Sequence, residues 1–120
     1  MKFINKLSII AAVLFFSSCS QSENDKLIIG NWAGAEWLSG GNPRSDITNV
    51  DFSFNKEGDY VYTNGANKEK GKYYLDGNNL HTTPNGGAEM MVKIQKLTRD
   101  SLVFDMNRGG QEEQLTLIRK

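Results

Sequence analysis

The sequence holds one cysteine, one histidine and two prolines among its 120 residues. A lone thiol has no internal disulfide partner, and a structural zinc site needs about four Cys, His or carboxylate ligands at close spacing, so neither a disulfide framework nor a metal centre is expected. A nucleophilic triad would have to draw on His81, which lies between Leu80 and Thr82 and so faces away from Leu80, toward solvent. Charge of one sign is also missing, since 14 basic residues balance 14 acidic ones. Lys68, Lys70 and Lys72 form the one basic cluster, and their alternate spacing marks a single solvated strand face, so no nucleic-acid partner is expected. Asp51, Asp59 and Asp105 alternate with apolar residues and face water, and no spacing pairs two carboxylates in a cleft. Gly86-Gly87 and Gly109-Gly110 lack the strand-to-helix context of a phosphate loop. The expectation is therefore a protein that is not an enzyme and carries no cofactor and no metal.

Long hydrophobic runs are absent as well. The most apolar stretch, from Leu7 to Phe16, covers about ten residues, whereas a membrane-spanning helix takes about 20. Lys2 and Lys6 before it and Ser17-Ser18-Cys19 after it give the pattern of a secretory signal. This leader resembles a bacterial lipoprotein signal, in which small residues precede a cysteine that receives a diacylglycerol thioether. The resemblance implies removal of residues 1–18, acylation of Cys19, and a protein exported and held to a membrane of the cell envelope by its lipid. With Lys2 and Lys6 gone, the 14 basic residues become 12 against 14 acidic, a net of about −2. Residues 20–26 (SQSENDK) lack apolar periodicity, so 19–26 reads as the lipidated cysteine and a flexible tether. Ser20 after the cysteine resembles outer-membrane sorting, and the acidic Glu23 and Asp25 resemble export tags of Bacteroidetes surface lipoproteins.

From Leu27 onward, apolar residues recur at period two between clusters of Gly, Asn, Asp and Pro, with no sustained period of 3.6. The first such stretch, LIIGNWAGAEW over 27–37, places Gly30 and Trp32 on one face, where the Trp fills a narrow barrel floor and the Gly lets a neighbour approach. Trp37, five positions on, falls on the opposite face of a regular strand and is expected to be exposed or covered by the 38–49 loop; a bulge near Gly34 would invert that parity. Val50, Phe52 and Phe54 alternate inward; Tyr60 and Tyr62 return on the second arm of a hairpin turned at Asn55-Lys56-Glu57-Gly58. Tyr73 and Leu75 follow, then Leu80, then Met90, Val92 and Ile94, then Leu102, Phe104 and Met106, and a last strand ending at Lys120. About eight short antiparallel strands at this spacing, joined by consecutive hairpins, make an all-β up-and-down barrel over 27–120, enough to close on itself and remove its edges.

Gly30-Asn31-Trp32, the stretch Phe52-Ser53-Phe54-Asn55-Lys56-Glu57-Gly58-Asp59-Tyr60 and Arg119 near the end carry a resemblance to the small lipocalin-like domains of bacterial lipoproteins, especially those of Bacteroidetes. It implies a lipocalin-like barrel in which Arg119 lies over Trp32 as a structural cap. The inward residues Trp32, Phe52, Phe54, Tyr60, Tyr62, Tyr73, Met90, Val92, Phe104 and Met106 either line an apolar pocket or fill it, with Arg119 as the one inward charge. Two functions follow. One is a membrane-anchored module binding a small apolar or amphipathic ligand in or at the mouth of the barrel. The alternative is a side-chain-filled barrel whose loops or outer face contact another envelope protein.

Overall fold

The computed structural model describes residues 19–45 and 47–120. The expected signal peptide, 1–18, lies outside the described residues, and so does the side chain of Cys19. Over the segment read as an irregular tether the chain is helical: α1 spans Cys19–Leu27. Its polar sequence offers no core-facing stripe, and it is joined to the barrel at its C-terminal end, where Ile28 is fully buried.

Nine strands follow: β1 (Gly30–Ser39), β2 (Asn42–Pro43), β3 (Val50–Phe54), β4 (Asp59–Asn64), β5 (Asn67–Asp76), β6 (Asn79–Pro84), β7 (Met90–Leu97), β8 (Ser101–Arg108) and β9 (Gln111–Arg119). All pairs are antiparallel, and all but β1–β3 and β1–β9 join neighbours in sequence; the two-residue β2 folds back as a flap on the tip of β1 and leaves β3 to pair with β1 directly. β9 pairs with β1 over Trp32↔Arg119 to Ser39↔Glu113, so the remaining eight strands close into an up-and-down barrel without edges. The chain enters and leaves at one end, where the 55–58, 77–78 and 98–100 turns also lie; the 40–41, 65–66, 85–89 and 109–110 connections form the other end.

The end carrying the termini is packed shut. Trp32, Phe54, Leu102 and Leu117 are all 1 % exposed or less, with Leu75 and Ile94 beside them. Gly30 has a φ of 135°, and a Cβ there would overlap the Arg119 guanidinium, so only glycine lets that side chain reach across the floor. Gly34 likewise admits Ile47 and Val50, which bring the 3-10 turn Ile47–Asn49 and the start of β3 against β1.

Trp37 is not exposed; it is 3 % accessible and faces inward. The register against β9 runs Gly34↔Leu117 and then Glu36↔Thr116, leaving Ala35 unmatched. This bulge puts Ala35 and Glu36 outside in succession and returns Trp37 to the inner face, inverting the parity of a regular strand. A similar register shift lies between Ile94 and Lys96 in β7.

Candidate functional site

Above the packed floor the barrel holds a cavity of about 390 Å³, open at the end away from the termini. This is at the small end of ligand pockets, which run from about 300 to 1,000 Å³. Seven of the ten residues expected to face the interior line it: Phe52, Tyr60, Tyr62, Met90, Val92, Phe104 and Met106. Phe52 anchors one wall, stacked on Tyr62 with centroids 4.7 Å apart and meeting Phe104 edge-on at 5.7 Å. Leu80 and Leu115 add aliphatic surface near the bottom. At the rim, Met90 and Met91 are more than half exposed.

The other three expected pocket residues lie elsewhere. Trp32 sits below the cavity, its indole N–H donating to the Ile28 carbonyl at 2.9 Å. The Arg119 guanidinium lies 4.2 Å from the Trp32 ring centroid and donates to the carbonyls of Ile29 at 2.8 Å, Leu27 and Arg99. Phe54 is buried between Phe52 and Tyr73. Tyr73 points to the closed end, where its hydroxyl donates to the Asn55 carbonyl at 2.6 Å beside a shallow hollow shared with Asp25 and Lys26. Burial, reinforced by the nearby charges of Asp25, Asp59 and Glu57, raises the Tyr73 phenol above its ordinary pKa.

Arg119 is not the one inward charge. Glu69 lines the mouth, Glu113 lies on the inner face of β9 beside it, bonded to Trp37, and Arg44 reaches over it from the 38–49 loop. The Glu113 carboxylate accepts the Trp37 indole N–H at 2.8 Å and the Ser39 hydroxyl at 3.1 Å, while Arg44 stacks 4.1 Å over the Trp37 ring and comes within 3.9 Å of Glu113. One side of the mouth is thus a clamp of indole, carboxylate and guanidinium tying β1, β9 and the loop together. On the other side Glu69, opposite Tyr62 in the β4–β5 register, accepts the Tyr60 hydroxyl at 2.7 Å. Burial and then the Glu69 hydrogen bond push the Tyr60 phenol far above its ordinary pKa, so it remains a donor at neutral pH. Asn64 donates to the Tyr62 hydroxyl at 3.1 Å, and Asn67 and Thr82 complete this polar edge.

These polar residues had a sequence cue. Lys68, Lys70 and Lys72 face out, which places Glu69 inward between them; Glu113 stands two residues before the inward Leu115. His81 lies on the outer face, stacked on Tyr74 at 4.4 Å with Nδ1 3.2 Å from a Glu89 oxygen. Among the described residues no group of three or more His, Cys, Asp or Glu is placed to hold a metal ion.

A closed antiparallel barrel with meander connections, an arginine over a floor tryptophan and an open internal cavity define the class: a small up-and-down β-barrel. The chain belongs to the lipocalin-like domain family, whose model matches residues 28–104. Its fold is similar to that of a lipocalin-like protein from Bacteroides uniformis, at 17 % identity and a TM-score of 0.58 over 78 % of this chain and 97 % of that one. It is also similar to an uncharacterized protein from Bacteroides eggerthii, at 15 % identity and a TM-score of 0.61 over 78 % of this chain and 99 % of that one. No curated protein matches the sequence.

Proposed function

We propose that this lipocalin-like domain is a non-catalytic binding module that takes one small apolar or amphipathic molecule into its barrel, and that it is exported and held to the outer membrane by a lipid on Cys19. The observation that carries the binding reading is the open cavity of about 390 Å³ walled by Phe52, Leu80, Val92, Phe104 and Leu115. Apolar surface facing an open cavity gains about 25 cal/mol per Å² when a ligand takes it out of water, and here the wall is already formed. A barrel serving only as an interaction surface would gain by filling this space with side chains, because interiors otherwise pack to near crystal density. The anchoring reading rests on the leader and its single cysteine.

Native mass spectrometry of the protein released from its own envelope tests the binding reading. The expected result is a co-purifying small molecule that is lost in Val92→Trp, where the larger side chain occupies the cavity. An empty barrel that instead brings down a protein partner, with Val92→Trp making no difference, would replace this reading with that of an envelope interaction module. Detergent-phase partitioning of the parent and Cys19→Ala tests the anchor; identical partitioning refutes it.

A further inference from the structure

The polar edge of the cavity is asymmetric in charge. Among the described side chains that line it, the charged ones are Arg44 and Glu69. Arg44 is stacked on Trp37 and drawn to Glu113 at 3.9 Å, so its charge is offset within the mouth. Among the described residues no cation is paired with Glu69. One of its oxygens accepts the Tyr60 hydroxyl, and the half-buried carboxylate stands at the cavity edge with Tyr62, Asn64 and Asn67 around it. A carboxylate beside an apolar wall repels an anionic headgroup and leaves acceptor capacity for a donor.

Resting on the binding reading above, we propose that the ligand is a single-chain amphiphile with a cationic, amine-type head, seated with its N–H donors on Glu69 and its apolar chain against Phe52, Leu80 and Phe104. Tyr60 holds the carboxylate in place from below, so that the Glu69 oxygen left over faces the incoming head. The Asn64 side chain, hydrogen-bonded to Tyr62, supplies a further acceptor on the same edge. An alkyl carboxylate of the same length meets the same apolar wall but brings a second negative charge to Glu69.

The test uses octylamine, octanol and octanoate, matched in chain length and differing at the head, titrated into the full chain below their micelle concentrations with Trp37 fluorescence as the signal. A charge-assisted contact at a partly desolvated site corresponds to roughly ten- to hundredfold in affinity. The expected order is octylamine over octanol by about tenfold, with octanoate weakest. In Glu69→Gln, which still accepts the Tyr60 hydroxyl, octylamine is expected to fall to the level of octanol while octanol is unchanged. That unchanged octanol affinity also shows the variant is folded. Equal binding of octylamine and octanol to the parent, or octanoate binding best, overturns the amine assignment and leaves the binding module standing. Failure of all three to bind, with the parent folded by its thermal melt, overturns both.

Discussion

Removing the Arg119 side chain should cost more than any other single truncation on the surface of the closed end. Its guanidinium stacks 4.2 Å over Trp32 and bonds three backbone carbonyls, those of Leu27 and Ile29 in the segment entering β1 and that of Arg99 in the β7–β8 turn. The stacking contributes about 0.5 to 2 kcal/mol. Hydrogen bonds from a charged donor contribute about 1.5 to 3 kcal/mol when desolvated, but the Arg99 contact is exposed and water can replace part of the others, so about 1 kcal/mol for each of the two half-buried bonds is the fair figure. The sum is roughly 2.5 to 4 kcal/mol for Arg119→Ala, and at about 4 to 8 °C per kcal/mol for a domain of this size the melting temperature should fall by roughly 10 to 30 °C. Urea unfolding followed by tryptophan emission measures it. Arg119→Lys should recover less than half, because an ammonium cannot stack as a plane and fork to two carbonyls together. Gly30→Ala, whose Cβ overlaps the guanidinium, should be destabilising alone and less so on an Arg119→Ala background. A cost below about 1 kcal/mol for Arg119→Ala, or strict additivity with Gly30→Ala, would refute the reasoning.

Gly71→Ala should cost about 1 to 3 kcal/mol in urea unfolding, since a Cβ at this buried position would overlap the Thr83 carbonyl and the Pro84 backbone across the β5–β6 pair. Iodide should reach neither tryptophan in single-Trp variants, Trp32 because the floor is closed and Trp37 because Arg44 covers it; strong quenching at Trp37 would show that the bulge at Ala35 does not form. The Tyr60 phenol has its pKa raised on folding, so its contribution to stability is present below the unfolded value of about 10 and is lost as pH climbs from there toward the folded value. Alkaline unfolding curves of the parent should therefore steepen above about pH 10, and Tyr60→Phe should flatten them; superimposable curves would contradict the burial of that hydroxyl.

What the sequence discloses here is set by how local the deciding interaction is. The strands of the hairpins from Val50 to Met106 follow from alternation and turn residues, both written within a few positions of the feature they decide. The pairing of Arg119 with Trp32 joins the first and last strands of the barrel and is implied by family resemblance, because alternation alone does not say which strands meet. One extra residue, Ala35, moves Trp37 off the face a regular strand gives it, since a bulge flips every side chain beyond it and leaves no local signature except the small Gly34-Ala35 pair. Glu69 and Glu113 do not stand out as inward charges because a carboxylate is ordinarily a water-facing residue; their partners Tyr60 and Trp37 lie in other strands. The helix of residues 19–27 has no apolar stripe to announce it. Whether the interior is filled or open depends on barrel girth and on rotamers, and Phe52 illustrates it: the same alternation describes a core phenylalanine and one that walls a cavity.

The placement of the tether relative to the mouth bears on where a ligand comes from. β1 begins at Gly30 on the closed floor and ends at Ser39 beside the cavity, so the helix and Cys19 precede the closed end while Trp37, Asn64, Asn67 and Asn107 ring the opposite one. Strands of about ten residues rise about 3.3 Å each and tilt by about 40°, which separates the two ends by roughly 25 Å. If Cys19 carries the lipid, the nine residues of α1 add about 13 Å at 1.5 Å per residue, so the closed end lies nearest the bilayer and the mouth faces away from it. The barrel would then draw its ligand from the aqueous side and not from the membrane that holds it. A fluorophore placed at Asn78 in the β5–β6 turn should be quenched by headgroup-labelled lipid in proteoliposomes of the acylated protein, and one at Ala66 in the β4–β5 turn should not. Ala66 is exposed at the tip of that turn and its backbone is not left-handed, so a label there disturbs neither packing nor the turn. Equal quenching at both positions would mean that the barrel lies on its side against the bilayer, with its mouth at the lipid surface, and the aqueous route would be wrong.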